Sequence, residues 1–85
     1  MTERTYSFRC QKCIKESDGT IGHYILEVTD TVDGKIEEIS VLPKDLISNR
    51  SMKRILLGRK IFYYVTQSKH EKMLSELFAT PPEPI

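Results

Sequence analysis

The stretch HYILEVTDTVDGKIEEISVL, residues 23–42, decides how this chain folds. Tyr24, Leu26 and Val28 alternate with Ile25, Glu27 and Thr29, the period of a strand that turns one set of side chains to a core. Ile39 and Val41 resume the alternation after Asp33-Gly34, a pair suited to the positive φ of a tight hairpin turn. An antiparallel hairpin follows, with residues 23–29 returning through 36–42 and Glu37 and Glu38 close to the turn.

Upstream, Tyr6, Phe8 and Cys10 alternate with Ser7 and Arg9, which predicts a first strand ending near Cys10. Downstream, Pro43 ends the return strand and suits the first turn of a short helix through Lys44, Asp45, Leu46 and Ile47. Ser51 offers an N-cap, Met52, Ile55 and Leu56 repeat at helical spacing, and Gly58 stands where a glycine would close a helix of at most two turns. Residues 61–66, rich in β-branched and aromatic types, predict a further strand inside the sheet. Ser68 and Glu71 form a capping-box pattern, and His70, Met73, Leu74, Leu77 and Phe78 share one face of the helix it opens. Pro81, Pro82 and Pro84 stop that helix and leave residues 81–85 as an extended tail. The expected fold is a single α+β domain over residues 1–80. Its order is β-β-β-α-β-α, with an antiparallel or mixed sheet of about four strands, helices on one face and no internal repeat.

With 85 residues, 39% of them apolar and 29% charged, the chain suffices for one modest core. Its apolar runs fall far short of the roughly 20 residues that span a bilayer, and residues 1–8 lack the apolar segment of a secretory signal. The expectation is a cytoplasmic protein without a membrane partner. Cys10 and Cys13 sit too close in sequence to staple a small fold, so reduced thiols are expected. The net charge of +1 conceals a division: residues 21–45 carry six acids and two cations, and residues 46–61 carry five cations and no acid.

Val41-Leu42-Pro43-Lys44-Asp45-Leu46-Ile47, the stretch from Met52 to Gly58, and Tyr63 followed by Lys72-Met73-Leu74 and Leu77 carry a resemblance. Over residues 24–80 the chain resembles the uncharacterised region that precedes the ATPase core in primase-helicase proteins of phages and staphylococcal-type mobile elements. The resemblance implies a replication context and a non-catalytic module. That family's ATPase site lies outside this region, and the present sequence has no G-x-x-x-x-G-K-[ST] loop. Cys10-x-x-Cys13 is no part of the shared pattern.

Several groups invite chemistry, each beside a plainer reading. Cys10 and Cys13 have the spacing of a zinc knuckle, and His23 and His70 are the histidines available to complete four ligands. A structural zinc site normally has two tight pairs, so no metal or other cofactor is expected, and Cys10 reads as a small core residue. A redox pair would want a helix N-terminus to lower a thiol pKa, whereas this pair follows a strand. His70 lies on the face of Met73, Leu74 and Leu77, as a packed histidine does, and His23 reads as a hairpin residue. No nucleophile, base and orienting carboxylate stand together, so the expectation is a protein that is not an enzyme. Asp30, Asp33, Glu37 and Glu38 surround the hairpin turn without the order of a calcium loop. They read as a solvated tip or as an acidic surface for docking on an enzyme.

Arg50, Lys53, Arg54, Arg59 and Lys60 have no acid among them, and Tyr63 and Tyr64 follow. Cations beside aromatic rings can neutralise phosphates and stack bases; the plainer reading is a solvated helix face and core tyrosines. Two functions are thus expected. One is a binding module of a phage or mobile element that meets nucleic acid or a replication protein through Arg50, Lys53, Arg54, Arg59, Lys60 and Tyr64. The alternative is a small inhibitor of the anti-CRISPR or anti-restriction kind, which blocks a host enzyme through the acidic hairpin, Asp30, Asp33, Glu37 and Glu38, or through another exposed surface.

Overall fold

Two Asp-Gly pairs bend the first half of the chain into a three-stranded antiparallel meander. The computed structural model describes residues 5–85. Strands β1 (Tyr6–Lys15), β2 (Ile21–Asp30) and β3 (Ile36–Val41) are followed by helices α1 (Pro43–Leu46), α2 (Asn49–Gly58) and α3 (Gln67–Leu77), then by a two-residue strand β4 (Glu83–Pro84). The sheet runs β3-β2-β1-β4, with β4 parallel to β1 and the other pairs antiparallel. Gly34, at φ 75°, closes the expected hairpin. Gly19, at φ 87°, closes the one before it, where the Gly19 N–H donates to the Glu16 carbonyl at 3.0 Å and the Glu16 N–H to Thr20 at 2.7 Å.

The first strand does not end near Cys10; it continues to Lys15, and the cysteine pair lies inside it. The β1–β2 register slips between Cys10 and Lys12, a bulge at Gln11 that inserts one residue into the alternation. Cys10 opposes Leu26 and Cys13 opposes Tyr24, so two residues three apart share the core face. Both are buried.

One face of the sheet supplies Phe8, Cys10, Leu26, Val28, Ile39 and Val41 to the core. The helical layer answers with Leu46, Met52, Leu56, Met73 and Leu77. On the opposite face Arg9, Glu27 and Glu38 lie side by side across three strands, and Gln11 donates to Glu27 at 2.9 Å. The fold is thus the expected α+β class, with a four-stranded mixed sheet and helices on one face. Among the described residues no helix is long and apolar enough to cross a membrane.

The fourth strand is built from different residues than expected. Residues 61–66 pair with no strand. The Tyr63 N–H donates to the Ile61 carbonyl at 2.9 Å and the Thr66 N–H to the Tyr64 carbonyl at 3.1 Å, so this segment meets those two N–H groups by local turns. Ile61 and Val65 still alternate into the core, beneath the helical layer rather than within the sheet. The outer edge of β1 has other occupants. Glu76 of α3 accepts from the Phe8 N–H at 3.2 Å, and β4 pairs with Lys12 and Cys13. The proline tail is extended, as expected, and forms this short edge strand.

The helix ends also differ by a few residues. Ser48, not Ser51, caps α2 by accepting from the Ser51 N–H at 3.2 Å, which lengthens the helix to ten residues. Thr66, not Ser68, caps α3 by accepting from the Lys69 N–H at 3.2 Å. In each case the earlier hydroxyl has extended backbone, the conformation an N-cap needs. The face of α3 is as expected: His70, Met73 and Leu77 are buried, Leu74 is half-buried, and Phe78 stacks edge-on against Tyr24 at 5.4 Å.

Candidate partner-binding surface

Helix α2 buries Met52 and Leu56, with Ile55 partly covered, and leaves Arg50, Lys53 and Arg54 exposed. Its C-terminus is closed by a residue that does not favour the task. The Ile61 N–H donates to the Leu56 carbonyl at 2.9 Å and the Lys60 N–H to Leu57 at 3.0 Å, the paired bonds of a Schellman motif. Its left-handed position is filled by Lys60, at φ 60°, and not by Gly58, which is the last helical residue. Among the described residues Lys60 is the non-glycine with positive φ.

After this cap the chain alternates sharply. Ile61 is 4% exposed and Val65 9%, while Phe62 is 59% and Tyr64 62% exposed. Tyr63 turns inward, edge-on to Tyr6 at 6.3 Å and Phe8 at 5.0 Å, and its hydroxyl donates to the Lys69 carbonyl at 3.4 Å. Burial, and secondly the Glu76 carboxylate, push the Tyr63 phenol above its ordinary pKa, which keeps it a neutral donor. Lys53 stands over the Tyr64 ring at 6.0 Å and Lys69 over the Tyr63 ring at 5.1 Å.

Phe62 divides two open clefts of ≈ 360 Å³ each. One is lined by Tyr6, Phe62, Tyr63 and Tyr64 with Lys69, Lys72 and Glu76. The Glu76 carboxylate there is engaged by the Ser7 hydroxyl at 3.3 Å and the Phe8 N–H. The other cleft contains Asp30, Asp33 and Glu37 facing Lys35, Arg59 and Lys60. Arg59 meets Glu37 at 4.0 Å, an exposed pair worth under about 1 kcal/mol that still lowers the local charge of both.

The structure therefore splits both expected clusters. Among the basic residues, Arg50, Lys53 and Arg54 lie along α2 with Tyr64 beside Lys53, whereas Arg59 and Lys60 face the acidic hairpin. Among the acids, Asp30 is buried and accepts from the Val32 N–H at 2.9 Å, and Asp33 accepts from the Lys35 N–H at 2.9 Å. Glu37 lies on the helical side of the sheet, opposite Val28, and Glu38 lies on the far side opposite Glu27. Phe62, Lys69 and Lys72 were not among the sequence candidates. The alternation of residues 61–65 carried the signal for Phe62, but a strand inside the sheet would have covered both of its faces.

The remaining candidates lie apart from these clefts. His70 is 4% exposed and its Nε2 donates to the Leu46 carbonyl at 2.8 Å, tying α3 to the end of α1. His23 lies on the open face of β2, opposite Ile14. Cys10 and Cys13 are free thiols. Burial first, and then the neighbouring Cys13, push the Cys10 thiol up to about 11, against an opposing backbone interaction with Lys12. Such a thiol is a poor nucleophile. Among the described residues no three His, Cys, Asp or Glu side chains gather where they could hold a metal ion.

No protein-family model, curated protein or solved structure matches the chain.

Proposed function

We propose that this chain is a non-catalytic module that contacts nucleic acid through the cations of α2. The observation that carries this reading is the company those cations keep. Arg50, Lys53 and Arg54 are exposed on a ten-residue helix that has no acidic residue, and exposed aromatic rings begin directly after its cap. Phosphates attract exposed cations of this kind and need no particular base sequence to do so. The resemblance over residues 24–80 agrees with a replication setting in a phage or mobile element, where a replication protein is the other partner to consider. The inhibitor reading has less support. Asp30, Asp33 and Glu37 share one cleft with Lys35, Arg59 and Lys60, which offset their charge, and Glu38 lies on the other face of the sheet.

The test is binding to DNA as a function of salt. Affinity falls steeply between 50 and 200 mM salt if phosphates are contacted, and Lys53→Ala with Arg54→Ala reduces the slope by about one for each phosphate no longer neutralised. Absence of binding at low salt, or an unchanged slope in the double variant, overturns the reading and favours a protein partner.

A further inference from the structure

We infer that the partner of this surface is a single-stranded nucleic acid, with one base on the Phe62 ring and its neighbour on Tyr64. The inference rests on the nucleic-acid reading above and adds to it the strandedness of the ligand and the residues that select it.

Phe62 and Tyr64 are consecutive outward positions of one short segment. Burying such a ring ordinarily stabilises a fold, and neither ring takes that course. Yet the segment beneath them is held firmly. Ile61 and Val65 are anchored in the core, Tyr63 is packed against Tyr6 and Phe8, and Thr66 is committed to capping α3. The rings thus stand on a prearranged base, so little order has to be imposed when a ligand arrives.

Spacing and charge then select the ligand. Residues two apart lie at most about 7 Å from each other along the chain. That is about twice the 3.4 Å rise of stacked bases, so adjacent bases must separate to occupy both rings. A duplex presents base edges in its grooves and keeps base faces inside the stack, out of reach of an aromatic face. A single strand offers those faces freely, and stacking on them tolerates any sequence. Charge fixes the side on which the backbone runs. Lys53 flanks Tyr64, and Lys69 and Lys72 line the cleft on the Tyr64 side of Phe62, where Glu76 is already engaged. The cleft on the far side of Phe62 sets Asp30, Asp33 and Glu37 against Lys35, Arg59 and Lys60, so its charges balance and it offers phosphates no net attraction. The strand therefore crosses from α2 toward α3 and avoids the hairpin tip.

Fluorescence anisotropy with labelled oligothymidine, oligouridine and a mixed-sequence DNA duplex of equal length, over a salt series from 50 to 200 mM, tests this. Wild-type protein should bind one or both single strands at least ten-fold tighter than duplex. Phe62→Ala and Tyr64→Ala should each weaken single-strand binding about ten-fold or more, because stacking is removed. Their salt slopes and thermal unfolding should stay as in the wild type, since both rings are exposed and uncharged. Tyr64→Phe, which keeps the ring, should retain binding. Duplex bound as tightly as single strands with a normal salt slope, or alanine variants of unchanged affinity, overturns the single-strand inference and leaves the phosphate-contact reading standing. Absence of binding to all three probes overturns both.

Discussion

Helices α2 and α3 are nearly equal in length, at ten and eleven residues, yet they divide their side chains differently. α3 ties one face closely to the fold and leaves Lys69 and Lys72 to the cleft beside Tyr64. His70 bonds to the end of α1, Met73 and Leu77 fill the core, and Glu76 satisfies an edge N–H of β1. α2 holds on by Met52 and Leu56, leaves three cations in solvent and ends in a lysine where a glycine fits better. The contrast teaches where to look for function in a small domain. Side chains that the fold already uses explain themselves, and those it leaves over at some cost point to a partner.

Substitutions can break this contrast. The largest effect belongs to α3: Met73→Ala empties a fully buried site and should cost about 2–5 kcal/mol by chemical denaturation, while Arg54→Ala on α2 should change stability by less than about 0.5 kcal/mol. Equal losses at the two sites would show that the Arg54 side chain is as much a part of the fold as Met73. A smaller effect of opposite sign is expected at the α2 cap. Lys60→Gly should stabilise the protein by about 1 kcal/mol, because glycine adopts φ 60° without steric penalty. Destabilisation by this change would mean that the Lys60 side chain holds the fold through contacts of its own.

A third effect appears only at alkaline pH. Cys10 faces the helical layer, and its thiol ionises at about 11 when folded against an ordinary value of 9.0. The raised value means that the folded state holds this proton more tightly. Its contribution to stability is complete below pH 9 and is lost as pH rises toward 11. Cys10→Ala should flatten that alkaline fall relative to wild type, as measured by denaturant midpoints at pH 8 and 10.5. An unchanged pH dependence would show that β1 is not tightly covered at this position.

Much of the architecture was legible because it depends on short-range patterns. The alternation about Asp33-Gly34 gave the second hairpin, and the spacing from His70 to Phe78 gave the buried face of α3. Asp18-Gly19 carries the same turn signal, and with it β1 and β2 could have been extended to ten residues each. The bulge at Gln11 was not legible, because inserting a residue in a strand leaves no compositional mark. Residues 61–66 misled for a different reason. Alternation records which side chains are buried, not where the backbone N–H groups bond, and here two of them turn back on the segment itself. The same misplacement hid Phe62 and the lysines of α3 from the candidate site. Arg50, Lys53, Arg54 and Tyr64 stood out as candidates because clustered charge beside an aromatic ring is visible without knowledge of the fold, and the structure leaves all four exposed.

The two-residue strand at the end of the chain also bears on how copies of the protein meet. Pro82 and Pro84 have no N–H to offer, so the β4 border of the sheet is poor in donors for an incoming strand. The β3 border is different, for its ladder is unoccupied among the described residues and Glu37 and Glu38 are its guards. Strand-to-strand association through β3 would bring Glu37 and Glu38 of two adjoining copies together, where like charges repel each other.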